Sequence, residues 1–156
     1  MRNLRNFQPA ADACAKLRIE IGSDFAGLAI QNENTPDVSW HQAAGNRNDK
    51  YKKINVRFGK GIAGRVISTG RPMSVVHFPN DILGKALDYP IMLAENLQSA
   101  YAVPLVFNQV QRGVLLVGNR QEHIFTEEAK EAVARTAAEL QELIDRFYRG
   151  EADGEA

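Results

Sequence analysis

Cysteine is nearly absent: Cys14 is the only one in 156 residues. An internal disulfide framework and a cysteine-rich metal centre are therefore excluded. There are three histidines, His41, His77 and His123. They lie far apart without ligand-spaced companions, so no metal site is expected. No apolar run approaches the roughly 20 residues that cross a bilayer. The first residues, MRNLRNFQPAADA, lack the apolar core of a signal peptide, so the expectation is a cytoplasmic protein with no membrane partner. Charge of one sign is not in excess either. Lys+Arg and Asp+Glu are 19 each, and no global field argues for nucleic acid. G-x-S-x-G elbows, P-loops and dinucleotide fingerprints are missing. Asp49, Asp81, Asp88 and Glu95 are scattered carboxylates rather than an arranged acid–base pair. No catalytic residue is expected, and the chain does not read as an enzyme.

What is present is an ordinary globular composition, 44% apolar and 24% charged, enough for one domain with a sizeable core. The domain is placed at 1–148, with an acidic, disordered tail over 149–156. Phe7, Ala10, Ala11, Cys14, Leu17 and Ile21 fall near helical spacing and predict a helix over 9–21, stopped by Gly22. Cys14 lies on its apolar side, as an inert buried thiol does. FAGLAIQ (25–31) reads as a strand. After a turn at 32–37, residues 38–44 alternate, with Val38, Trp40, Gln42 and Ala44 on one face. Residues 46–60 are locally basic and lead to a short strand at 54–58. Another strand, MSVVHF, occupies 73–78. Residues 99–119 form a long hairpin in which Tyr101, Val103, Leu105 and Phe107 share a face, and Pro104 marks an edge or a bulge. Thr126 caps a last helix whose Val133, Ala137, Leu140, Ile144 and Phe147 make a sharp apolar stripe. Its natural partner is the first helix, both on one face of the sheet, and such a pair is also a common dimerisation surface.

The chain is organised around GKGIAGRVISTGRP (59–72), a glycine-flanked turn into a short helix bounded by Gly70 and Pro72. Ile62, Val66 and Thr69 or Gly70 mark its packing face. The first N–H groups, near Gly61, Ile62 and Ala63, have no carbonyl partner within the helix, and such an end can take a small anion. Equally, it can be satisfied by water or side chains in a tight connection. The single tryptophan, Trp40, is either a large core residue or an indole N–H aimed into a cavity. Residues 79–96 match neither helical nor strand period. Their Tyr89, Ile91 and Met92 are too apolar to lie in water, as in a lid.

This order of elements, and above all GKGIAGRVISTGRPMSV and SAYAVPLVFNQVQRGVLLVGN, resembles a GAF domain over essentially residues 7–148. The resemblance implies an α+β fold: a central antiparallel sheet, N- and C-terminal helices on one face and a small ligand pocket on the other. Free methionine-R-sulfoxide reductases of this family need several pocket cysteines, which one Cys14 on the first helix does not supply. Neither the Asn-Lys…Phe…Asp-Glu signature of cyclic-nucleotide GAF domains nor a pocket cysteine for a tetrapyrrole is present. Trp40, GIAG and the YPI of the lid are similar to the NreA-type nitrate receptors of bacterial two-component systems. That resemblance implies a nitrate pocket with donors from Trp40 Nε1–H and the backbone N–H groups of Ile62, Ala63 and Ile91. Tyr89 would form a wall, and Gly61, Val56, Phe58 and Met92 would line it. It implies no cofactor, nitrate (or nitrite or iodide) as ligand, and a sensor histidine kinase as partner, restrained by the empty form and relieved by nitrate. The rivals are a GAF sensor or enzyme for another small metabolite and a ligand-free dimerisation module.

Overall fold

The computed structural model describes residues 3–150, so the tail predicted from 149 onward falls largely outside the described residues. Six strands pair antiparallel in the order β3-β2-β1-β6-β5-β4. They are β1 (Phe25–Gln31), β2 (Val38–Ala44), β3 (Asn55–Val56), β4 (Met73–Val75), β5 (Ser99–Phe107) and β6 (Val110–Asn119). Both faces of this sheet are covered, which is why its central strands read as nearly unbroken apolar runs. One face packs under α1 (Gln8–Ile21) and α4 (Glu127–Tyr148). There Ala26, Leu28, Tyr101, Val103, Leu105 and Phe107 meet Leu17, Val133, Leu140 and Ile144 in one buried cluster. The opposite face, carrying Phe25, Ala29, Ala100, Ala102, Val114 and Leu116, forms a second cluster with the central helix α2 (Gly61–Thr69) and the lid.

Helix ends follow the expected chemistry. Thr126 Oγ1 accepts from the Ala129 N–H at 3.1 Å, and Glu127 and Glu128 stand in the first turn, where the helix end is positive. Gly22 and Gly70 close α1 and α2 in the left-handed conformation, at φ 71° and 70°. Cys14 is buried on α1, and burial pushes its thiol up to about 12.

The structure corrects several expectations. In β2, Val38, Trp40, Gln42 and Ala44 do not share a face. The register with β1 slips between Leu28 and Ala29, which face Gln42 and Trp40 respectively. This bulge re-aims the strand. Val38 and Trp40 point to the second cluster, whereas Ala44 packs against the first and Gln42 Nε2 donates to the Leu4 and Arg5 carbonyls at 2.8 and 2.9 Å. The strands expected at 54–58 and 73–78 contract to Asn55–Val56 and Met73–Val75. On α2, Thr69 is exposed and Ile67 is buried in its place. The lid holds a 3₁₀ turn (Ala86–Asp88) and a five-residue helix α3 (Pro90–Ala94), too short to show a period. Pro104 sits beyond the part of β5 that β4 covers, residues 100–102, where a strand residue without an N–H breaks no outer ladder.

His41, at the bulge, accepts the Leu4 N–H on Nδ1 at 3.4 Å. Burial first, and the Arg5 charge second, lower its pKa from 6.5 to about 4. As pH falls from 6.5 to 4, the unfolded chain takes up a proton that the folded chain refuses, so stability falls through that window. The loss should be about 2 kcal/mol after allowing for partial exposure. Urea midpoints measured across this range should fall less steeply for His41→Gln than for the parent.

Candidate functional site

The face away from the terminal helices carries the polar groups that the sequence singles out. Trp40, Ile62, Ala63, Tyr89, Ile91 and Met92 lie in the same buried cluster. Trp40 is fully buried on β2. Its ring passes beside Gly27 on the neighbouring strand, where a Cβ would stand 2.8 Å from the Phe25 ring and 3.0 Å from the indole. The absent side chain is what makes room for the tryptophan. The indole Nε1 is buried and has no hydrogen-bond partner. A buried donor left unpaired costs about 1–3 kcal/mol, so each such group calls for a reason.

The start of α2 contributes further unpaired donors. Its N-cap residue, Lys60, gives no side-chain cap, and the first turn has no acidic residue. Backbone pairing leaves the Ile62 and Ala63 N–H groups without carbonyl partners. Gly61 adopts φ +63°, and a Cβ there would lie 2.2 Å from the Asp88 carbonyl oxygen. Glycine is therefore required both for the turn and for contact between the helix start and the lid. At Gly64 contact alone excludes a side chain, a Cβ lying 2.2 Å from the Arg57 carbonyl oxygen.

The lid approaches with Tyr89, Pro90 and Ile91. Tyr89 is fully buried, and its hydroxyl donates to the Leu83 carbonyl at 2.8 Å. Burial raises its pKa more than the adjacent Arg65 guanidinium lowers it. The phenol is thus neutral and already satisfied, suited to walling a pocket. Ile91 N–H, in the first turn of α3, also lacks a carbonyl partner. Val56 is buried on β3 opposite Val38, on the lid side of the sheet. Phe58 is 47% exposed, too open to exclude water.

A group that the sequence reading set aside pins the lid. Glu95 is fully buried at the end of α3. Its Oε1 accepts from Arg120 Nη2 at 2.7 Å and from the Arg47 N–H at 2.8 Å. Arg120 also donates to the carbonyls of Glu95 and Gly45 at 2.9 and 3.1 Å, while Arg47 Nη1 reaches the Ala94 carbonyl at 3.1 Å. Glu95 Oε2 is buried without a partner. Lid, β2 end and β6 end are thereby joined through one buried carboxylate. No spacing rule connects residues 25 apart. The only clue was a carboxylate in an otherwise apolar stretch.

A single antiparallel sheet, with terminal helices on one face and a lid closing over the short helix α2 on the other, defines an α+β domain. The chain belongs to the GAF domain family: the family model matches residues 6–145. Among solved structures it is similar to a mutated NreA protein in nitrate binding site from Staphylococcus aureus, at 32% identity and TM-score 0.71, covering 81% of this chain and 94% of that one. A hypothetical protein from S. aureus, SA1058, is 37% identical with TM-score 0.67, covering 75% and 97%. A free methionine-R-sulfoxide reductase from Neisseria meningitidis shares the fold at 18% identity and TM-score 0.72, covering 87% and 75%. Among curated proteins no sequence match is found. No helix among the described residues is long and apolar enough to cross a membrane.

Proposed function

We propose that this GAF domain is a nitrate receptor that modulates a partner sensor histidine kinase. The observation that carries the reading is the Trp40 Nε1–H, a donor fully buried in an apolar cluster with no acceptor. The second support is similarity, at 32 and 34% identity, to S. aureus NreA structures described by their nitrate binding site. In this reading Trp40 Nε1–H and the N–H groups of Ile62, Ala63 and Ile91 hold the anion, with Tyr89 as a wall and Gly61 and Met92 beside it.

The physics favours a weakly hydrated monovalent anion. Nitrate can be desolvated more cheaply than sulfate or phosphate, so neutral donors suffice without a buried lysine or arginine. Donors from three elements, β2, α2 and the lid, can address three oxygens around one plane. The α2 start adds a favourable potential, and apolar neighbours strengthen each bond. Binding would tie hairpin, helix and lid together and select one lid position. The kinase response can then be no larger than its difference in affinity for the two forms.

A reductase reading lacks its residue. The chain's one cysteine, Cys14, is in the cluster under the terminal helices rather than beneath the lid. We therefore read the domain as a sensor rather than an enzyme, acting without a cofactor in the cytoplasm.

Trp40→Phe should weaken nitrate binding by roughly 10- to 100-fold, the loss of one hydrogen bond to a charged acceptor. The check is the nitrate-induced rise in melting temperature, measured on both proteins against chloride. An equal rise in both would remove Trp40 from the site.

A further inference from the structure

We propose that Glu95 is a positioning residue of the anion site: its buried carboxylate holds α3 so that the Ile91 N–H meets the ligand. That the ligand is nitrate rests on the receptor reading; that Glu95 places α3 does not.

α3 has five residues, far below the roughly 12 at which an isolated helix begins to hold its shape in water. Its place is therefore imposed from outside. The polar ties converge on its C-terminal end. Glu95 Oε1 accepts from Arg120 Nη2, just past β6, at 2.7 Å and from the Arg47 N–H, just past β2, at 2.8 Å. Arg47 Nη1 and Arg120 Nε donate to the carbonyls of Ala94 and Glu95 at 3.1 and 2.9 Å. Within the turn, the Glu95 N–H donates to the Ile91 carbonyl at 3.1 Å. Ile91 thus has its carbonyl held by Glu95, while its own N–H has no carbonyl partner.

The lid upstream offers no such hold. Among the described residues, none from 79 to 88 is buried. Their hydrogen bonds stay within the lid and its approach: Asp81 takes the Val76 and His77 N–H groups, Asp88 takes the Lys85 N–H, and Leu83 receives the Tyr89 hydroxyl.

Stability alone is a poor reason for a buried carboxylate here. An ion pair taken out of water gains little over apolar side chains of the same volume, and Glu95 Oε2 is buried without a partner. Ile91 and Met92 already pack α3 into the apolar cluster. Apolar packing sets depth but tolerates rotation, whereas hydrogen bonds are directional. The carboxylate therefore fixes how a one-turn helix is rotated, which is what a single N–H aimed at a planar anion requires.

The test is proton–nitrogen correlation NMR of the parent, Glu95→Ala and Glu95→Gln, titrated with nitrate well below their melting temperatures. Trp40 is the only tryptophan, so its indole N–H reports occupancy without ambiguity, and the Ile91 amide reports the donor. Both signals should shift in the parent. Glu95→Ala should bind nitrate at least roughly tenfold more weakly, its indole still shifting at saturation and its Ile91 amide no longer doing so. Glu95→Gln keeps an oxygen for Arg120 and the Arg47 N–H, so both shifts should persist with affinity within about threefold of the parent. Leu140→Ala, which loosens the cluster under the terminal helices, should leave nitrate affinity unchanged and so separates positioning from general instability. If Glu95→Ala does not fold, Arg47→Ala takes its place. That side chain is exposed, and losing its bond to Ala94 should weaken nitrate about threefold and diminish the Ile91 shift. An undiminished Ile91 shift in Glu95→Ala, equal losses in the Ala and Gln variants, or tighter binding by both would overturn the positioning role. The last would mean that the carboxylate acts by repelling the anion. Amide exchange without nitrate tests the anchor by itself. The Leu97 N–H, bonded to the Met92 carbonyl at 2.9 Å, should exchange at least roughly tenfold faster in Glu95→Ala than in Glu95→Gln; equal rates would overturn the anchor. An unmoved Trp40 indole in the parent would instead overturn the receptor reading.

Discussion

Arg120→Ala is expected to destabilise the protein by about 3–5 kcal/mol. The reason is the charge left behind. Glu95 is fully buried, and Arg120 supplies a donor to its carboxylate at 2.7 Å and further donors to the Glu95 and Gly45 carbonyls. Without Arg120 the carboxylate keeps one partner, the Arg47 N–H, for a full negative charge out of water. Removing the charge as well should recover part of the loss. The double variant Arg120→Ala, Glu95→Gln should be more stable than Arg120→Ala alone, with non-additivity well above 0.5 kcal/mol in a double-mutant cycle of urea unfolding. A loss below about 1 kcal/mol for Arg120→Ala would put the pair in the class of surface ion pairs. The lid would then owe its position to apolar packing alone.

Gly61→Ala should cost about 2–4 kcal/mol, because backbone strain and collision add. At φ +63° a non-glycine residue is strained, and its Cβ would sit 2.2 Å from the Asp88 carbonyl oxygen. That oxygen is backbone and cannot rotate away, so either α2 or the lid must move. Gly59 provides the internal control. It has φ +82° with nothing within 4 Å of a Cβ, so Gly59→Ala should show the strain alone, about 1 kcal/mol. Chemical unfolding of the two variants separates the effects. Gly61→Ala should also weaken nitrate binding, since the Ile62 and Ala63 N–H groups shift with the helix start, while Gly59→Ala should not. Equal losses in the two would mean that the lid does not bear on the helix as described.

Much of the architecture is legible in the sequence. The stripe from Val133 to Phe147 placed α4, the alternation around Tyr101 to Phe107 placed the last hairpin, and Gly70 marked the end of α2, because each follows from periodicity or backbone freedom within a dozen residues. The donors assigned to Trp40, Ile62, Ala63 and Ile91 came from resemblance. Main-chain contacts leave little trace in side-chain identity, so residues alone could not have named them. What was illegible has a common cause. The β2 bulge that parts Trp40 from Gln42 is set by pairing with β1, and the Glu95–Arg120 pair joins two distant elements. Phe58 turns outward although it is as apolar as its buried neighbours. These are tertiary facts without a local signature, and α3, at five residues, is too short to have one.

The receptor reading stands most directly on titration calorimetry of the purified, anion-stripped protein with nitrate, using chloride and sulfate as controls. It predicts saturable binding of nitrate at one site per chain, weaker or no binding of chloride, and none of sulfate, whose second charge the neutral donors cannot compensate. No heat of binding at millimolar nitrate, or binding of sulfate as tightly as nitrate, would contradict it.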